Sequence, residues 1–259
     1  MFILPKCLSL YFHSIEVKEF ERLIKWLKKR GYVFISLKQL LHWYSNDLPH
    51  KNKLCYISFD DGKRSNLELL PICKKYNVPI TVFVTTSALH TGNFWWEYVY
   101  AKYGKFEEFK SYDYGKFTTE LYALRSEIKL ERTALTIDEL KLLGNSSFVT
   151  IASHTVSHPI LTKLPSSLLE KELYASKKEL EELLNVDIYA FSYPNGSYGE
   201  REVIEASKYY NCAFSTEAKY PMIGDDIMQI PRIALTGQFY RNIIKIYRLW
   251  QPLKKVLEF

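Results

Sequence analysis

Leu54-Cys55-Tyr56-Ile57-Ser58-Phe59-Asp60-Asp61-Gly62 is an apolar run that ends on two adjacent carboxylates. Its length and its aromatic and β-branched content suit a buried strand, and a glycine directly after the acids suits the turn that ends it. A second run, Phe148-Val149-Thr150-Ile151-Ala152-Ser153, leads into His154-Thr155-Val156-Ser157-His158-Pro159. Taken singly, Asp-Asp-Gly is an ordinary turn, and two histidines four apart are ordinary packing or surface residues. Their conjunction says more, because both groups fall where a strand gives way to a loop, which is where barrels and open α/β sheets build active sites. Two neutral imidazoles and one carboxylate make an N,N,O ligand set for zinc and related divalent ions, with positions left open for water and substrate. The second carboxylate remains as a spare base.

Working outward, short β-rich runs alternate with helical patterns, the signature of repeated βα units and a mainly parallel sheet. Strands are expected near 6–12, 54–60, 79–85, 148–153, 188–193, 212–216 and 229–235. Val17 to Lys29 places Phe20, Leu23, Ile24 and Leu27 on one helical face, and Glu170 to Leu184 does the same with Leu173, Leu180, Leu183 and Leu184. Ser36 with Gln39, Thr136 with Glu139 and Ser167 with Glu170 have the spacing of capping boxes. The alternation breaks at about 91–147, a stretch rich in aromatics and charges that includes Trp95, Trp96, Tyr98 and Tyr100, and a helical insertion is expected there. Its rings either stack on a sugar at the open face or pack the insertion onto the sheet.

The 259 residues fit one domain spanning 1–259, and 47% hydrophobic content supports a large core. A net charge of +6, from 35 basic and 29 acidic residues, is too modest to be the footprint of a nucleic-acid binder. Cys7, Cys55, Cys73 and Cys212 form no Cys-x-x-Cys pair, and the N-terminal residues lack the pattern of a secretory signal, so a cytoplasmic setting is expected. The tail at about 239–259 reads as a basic amphipathic helix, with Ile243, Ile244, Tyr247 and Trp250 on one side and Arg241, Lys245, Arg248, Lys254 and Lys255 among its charges. Such a helix either closes the barrel or makes peripheral contact with the inner face of a membrane, where a lipid-linked sugar would be found. Oligomeric state has no signal here.

Ser58-Phe59-Asp60-Asp61-Gly62, Ile151-Ala152-Ser153-His154-Thr155-Val156-Ser157-His158-Pro159 and Phe191-Ser192-Tyr193-Pro194-Asn195-Gly196 resemble, in order and spacing, successive motifs of the polysaccharide deacetylases, carbohydrate esterase family four. Phe94-Trp95-Trp96-Glu97 and Leu10-Tyr11-Phe12-His13 are similar to segments of members encoded with bacterial surface-polysaccharide genes. The resemblance implies an incomplete or distorted (β/α) barrel of about seven strands, and hydrolysis of an N-acyl amino sugar. It implies Asp61, His154 and His158 as metal ligands and Asp60 as general base. It also implies an oxyanion donor in the backbone N–H of Tyr193, in a turn fixed by Pro194, where losing a donor would cost roughly 3 kcal/mol of transition-state stabilisation.

Two family features are missing. Many members hold the base with an arginine in the third motif, where this chain has Ser192, and Asn195 stands where an aromatic is common. Arg232 or Arg64 could fill that space, with Arg232 favoured because the last strand shares the barrel mouth. No histidine follows His158 to protonate the leaving amine, and His13, at the end of the first strand, is the candidate for that acid. Trp95, Trp96, Tyr193 and Pro194 are candidate substrate contacts. The expected ion is Zn2+, with Co2+, Ni2+, Mn2+ or Fe2+ as alternatives. The expected substrate is an N-acetylated glycan or its lipid-linked or nucleotide-linked precursor. The alternatives are hydrolysis of another C–N bond, such as an N-formyl group or cyclic imide, or a carbohydrate-binding protein with a decayed site; acetate release separates the first of these from deacetylation.

Overall fold

Side-chain alternation along a parallel sheet decides which residues meet at its centre. The computed structural model describes residues 5–45 and 52–247. The chain begins β1 (Cys7–Phe12), α1 (Val17–Lys28), β2 (Tyr32–Phe34), α2 (Leu37–Tyr44), β3 (Lys53–Phe59) and α3 (Leu70–Tyr76). It continues β4 (Ile80–Val84), α4 (Thr86–Thr91), α5 (Trp95–Tyr103), α6 (Tyr114–Glu127), α7 (Ile137–Gly144) and β5 (Val149–Ser153). It ends α8 (Ser166–Leu184), β6 (Ala190–Ser192), α9 (Glu200–Ser207), β7 (Cys212–Phe214), β8 (Ile233–Ala234) and α10 (Phe239–Ile246).

The strands lie in the order β7-β6-β5-β4-β3-β1-β8, all pairings parallel, with β2 also paired to β3. β2 takes the edge of β3 at Lys53–Cys55 and β4 takes the same edge further on, at Ser58 and Phe59. Phe214 bridges Ile230 in parallel, while Leu10 and Tyr11 pair with Ile233 and Ala234, so residues 230–234 join β7 to β1 and close a ring of seven strands. This is a distorted (β/α) barrel with helices outside it. The strand expected at 229–235 is interrupted because Pro231, lacking an N–H, cannot donate to a ladder. β2, in which Val33 is exposed between buried Tyr32 and Phe34, was not foreseen.

Along β3, Cys55, Ile57 and Phe59 belong to the core beneath the helices, whereas Leu54 and Tyr56 belong to a second cluster with Phe83, Phe214 and Ile230 that fills the ring. Tyr56 stacks on Phe214 at 5.3 Å, and Phe83 lies 5.2 Å from Phe214. Period 2 then carries Ser58 and Asp60 onto the inner face above these rings. The same alternation brings Tyr11, Ser192 and Arg232 inward.

α1 buries Phe20, Leu23, Ile24 and Leu27. The capping boxes Ser36–Gln39 and Thr136–Glu139 form. The one read at Ser167–Glu170 does not: α8 starts earlier, behind Pro165, whose carbonyl accepts from Leu168 and Leu169, and Glu170 accepts from the Tyr209 hydroxyl instead. Within residues 91–147, Trp95, Val99, Phe109, Phe117, Leu121 and Leu124 form a core of their own. Burying each such side chain contributes roughly 1.5–3 kcal/mol, enough to order the segment against the barrel. α10 buries Phe239, Asn242 and Ile246. The remainder of the expected tail helix, including Arg248, Trp250, Lys254 and Lys255, lies outside the described residues. Among the described residues no helix is long and apolar enough to cross a membrane.

Candidate active site

At the carboxyl ends of the strands Asp60 and Asp61 point into different surroundings. Asp60 is buried and meets the Arg232 guanidinium, where Nη1 donates to Oδ1 at 2.7 Å and Nη2 to Oδ2 at 2.9 Å. Arg232 is 0% exposed and also donates to Ser58 Oγ, Ser192 Oγ and the Ser215 carbonyl, with Tyr11 4.3 Å beneath its centre. Burial works against ionisation of Asp60, but Arg232 and then His154 outweigh it and hold the carboxyl below its ordinary range. Arg64, the other arginine weighed for this space, is exposed and pairs with Glu139.

Asp61 has both carboxylate oxygens buried with no hydrogen-bond donor. Its Oδ1 lies 3.8 Å from His154 Nε2 and 3.8 Å from His158 Nε2, and one ligand atom from each of the three lies within 4.8 Å of the others. His154 Nδ1 is 2.8 Å from the Ser192 carbonyl, which can only accept, so the proton sits on Nδ1 and the Nε2 lone pair faces Asp61. Burial pushes both imidazoles down in pKa, against the pull of Asp60 and Asp61 on His154, and neutral rings are the form that ligates metals. Asp61, buried and without a hydrogen bond, has only the Lys63 ammonium 3.7 Å away and faces the His154 Nε2 lone pair, an arrangement that a further cation would satisfy. The residues therefore fit a divalent ion held by Asp61, His154 and His158.

The backbone around these groups is constrained. Asp61, Thr155 and His158 take positive φ of 78°, 67° and 55°, unusual for non-glycine residues and typical of functional sites. Glu172 on α8 grips the histidine loop, accepting from Val156 N and Ser157 N at 2.9 Å each and from Ser157 Oγ at 2.6 Å. Burial nonetheless raises the Glu172 pKa against these bonds. From the other side the Trp95 indole N–H donates to the His158 carbonyl at 3.0 Å, and the Trp96 ring lies 4.7 Å from the His158 ring. Sequence alone signalled neither the Glu172 nor the Trp95 contact.

The third motif corrects one expectation. Tyr193 N–H already donates to the Phe214 carbonyl in the sheet, its hydroxyl donates to the Met228 carbonyl, and its ring stacks on Tyr198. It is therefore not available as an oxyanion donor. Asn195 follows Pro194 into a 3-10 turn with φ 56° and lines the mouth cavity, and an N–H in the first turn has no acceptor inside it. Gly196, φ 65°, cannot be anything else, because a Cβ there would come 1.9 Å from Thr216 Oγ1. His13 is exposed and lines the same cavity of about 540 Å3 as Asp60, Asp61, His154 and His158. Both Trp95 and Trp96 line the cavity; Trp95 is 2% exposed with its ring in the insertion core, and half-buried Trp96 stacks on Phe94 at 4.8 Å. Pro194 is buried.

Residues 47–213 match the family model described as polysaccharide deacetylase. The chain belongs to the polysaccharide deacetylase family. It is 24% identical over 237 residues to the poly-beta-1,6-N-acetyl-D-glucosamine N-deacetylase of Staphylococcus aureus (strain MSSA476), covering 90% of this chain and 71% of that protein. It is 26% identical over 202 residues to YxkH of Bacillus subtilis (strain 168), covering 77% of this chain but 58% of YxkH. Among solved structures it resembles the Streptococcus pyogenes deacetylase PplD in complex with acetate, with a TM-score of 0.70 at 20% identity, covering 95% of this chain and 99% of that one. That likeness is one of fold.

Proposed function

We propose that the chain hydrolyses the N-acetyl group of an amino sugar, in a polysaccharide or its lipid-linked or nucleotide-linked precursor, with a divalent metal, Zn2+ first among the alternatives, held by Asp61, His154 and His158. The observation that carries this reading is the unequal treatment of two neighbouring carboxylates: each Asp60 oxygen accepts from Arg232, whereas Asp61, with Lys63 no nearer than 3.7 Å, accepts no hydrogen bond and sits beside two imidazoles. Membership of the family and the likeness to a curated N-deacetylase support the reaction class.

A divalent ion at such a site supplies Lewis-acid polarisation of an acyl oxygen and acidifies water. The chain's own residues do the rest. Asp60, kept ionised and aimed by Arg232, takes the proton lost as water adds to the acyl carbon. The Asn195 N–H donates to the oxyanion that forms, a role first expected of Tyr193. His13 gives a proton to the departing amine as the C–N bond breaks, leaving acetate and the free amino sugar. Trp96 supplies an apolar face for the ring of the sugar.

The test is metal content beside acetate release from a panel of N-acetylated glycans and precursors. Substitution of His154 or His158 by alanine should abolish bound metal, and Asp60→Asn should retain it without turnover. Full acetate release by Asp60→Asn would overturn the base, and release of formate in place of acetate would move the chain to a deformylase. For His13→Ala, an unchanged rate and basic limb of the pH profile would remove it as the acid.

A further inference from the structure

The charges lining the mouth cavity do not cancel. Its carboxylates are Asp60 and Asp61; Arg232 neutralises the first, and the second faces His154 and His158. Against them stand Lys63 and Lys110. They come from separate segments, Lys63 from the loop after β3 and Lys110 from the 3-10 turn Phe109–Ser111 of the insertion. Neither has a carboxylate of its own among the described residues. Lys63 is paired only at 3.7 Å with Asp61, which the proposed metal would claim, and the Lys110 ammonium rests 4.9 Å from the centre of the Phe106 ring. Two ammonium groups without a hydrogen-bonded carboxylate among the described residues, Lys63 also 5.8 Å from the centre of the Phe94 ring, line the cavity with Trp96 and Phe106 and make it half-apolar and half-cationic.

A neutral glycan offers such lysines hydroxyl and carbonyl acceptors but no countercharge, and a chain already bearing free amines would be repelled by them. Lysine is a point charge suited to phosphate oxygens, whereas recognition of a planar carboxylate favours the arginine fork. Resting on the deacetylase reading above, we infer that the substrate carries a phosphoryl group close to the acetylated sugar, and that Lys110 and Lys63 receive it while Trp96 and Phe106 flank the ring. The class is a phosphate-linked N-acetylamino sugar. A nucleotide diphosphate and a polyprenyl diphosphate present the same chemistry.

Two measurements on the full zinc-loaded chain test this. The first is binding of glucose 1-phosphate, which has no amide to hydrolyse, against maltose, by calorimetry at two salt concentrations. The second is kcat/KM for acetate release from N-acetylglucosamine 1-phosphate, UDP-N-acetylglucosamine and a short polyprenyl diphosphate N-acetylglucosamine, against neutral N-acetylchitotriose. The phosphorylated ligands should be preferred in both, and Lys110→Ala or Lys110→Glu should shrink the preference by roughly tenfold to a hundredfold, the loss expected of one charge-assisted contact. Lys110→Arg should restore most of it, and a thermal melt confirms that each variant is folded. The ranking of the nucleotide and polyprenyl arms assigns the carrier.

Equal use of neutral and phosphorylated ligands, or a preference that Lys110→Ala leaves unmoved, overturns the inference. Acetate release from the neutral trisaccharide alone would do so while leaving the deacetylase reading intact. Phosphate-dependent binding with no acetate from any substrate would defeat that reading and keep the phosphoryl site.

Discussion

Asp60 and Asp61 are covalent neighbours that live in opposite electrostatic regimes. On one side of the mouth a buried guanidinium clamps Asp60 in two places, one donor to each oxygen. On the other, Asp61 is just as buried and receives no donor at all. The turn separates them: β3 ends at Phe59, Asp60 continues its inward face, and the positive φ of Asp61 swings the second carboxylate toward the histidine loop. A satisfied buried charge is part of the fold, whereas an unsatisfied one is a debt that only a ligand settles.

The sharpest way to break this contrast is to neutralise each acid in turn. Asp60→Asn should lower turnover by roughly 10²–10⁴-fold, as losing a general base does. The same change should cost about 3–5 kcal/mol of stability in urea, because it strands the Arg232 charge inside the barrel. Asp61→Asn should also abolish turnover, yet in metal-free protein it should raise the melting temperature, relieving a desolvation cost of about 1–3 kcal/mol. Equal destabilisation by both would end the distinction. Added zinc should stabilise the wild type by about 2.7 kcal/mol at a hundredfold excess over Kd, and should do nothing for Asp61→Asn.

Smaller changes sharpen the contrast. Arg232→Lys keeps the charge but loses the fork, and kcat should fall about 100-fold from misplacement of the base while metal affinity holds. Trp95→Phe removes the donor to the His158 carbonyl along with part of a ring packed in the insertion core, and should weaken zinc binding by about tenfold, read by chelator competition, as outer-shell changes do. The smallest effect concerns Glu172, whose folded pKa lies above its ordinary value of about 4.3. The folded state then holds the proton longer than the unfolded one, so stability falls as pH rises from the ordinary value through the folded one. Glu172→Gln should flatten that slope in urea titrations, and an unchanged slope would reassign it.

The sheet was readable because each long strand is a dense apolar run, and the site because its motifs end such runs at one mouth. Arg232 was within reach of that logic, since the closing strand shares the mouth with β3, and it meets Asp60 there. What escaped depends on tertiary neighbours. No local pattern says that the Tyr193 N–H is consumed by Phe214, leaving Asn195 at the cavity, or that Glu172, fourteen residues beyond His158, turns back to grip its loop. The Ser167–Glu170 pair had the spacing of a cap, but Pro165 moved the start of α8 ahead of it.

Ring closure has a further consequence. The segment that seals the barrel, residues 230–234, also delivers Arg232, so the last stave and the orienting cation arrive together. In any form with the seam open, Asp60 would face an aromatic interior without its counter-ion and would pick up a proton. On the proposed mechanism, turnover would then gauge a completed cylinder: a molecule whose final stave had not locked would lack its ionised base.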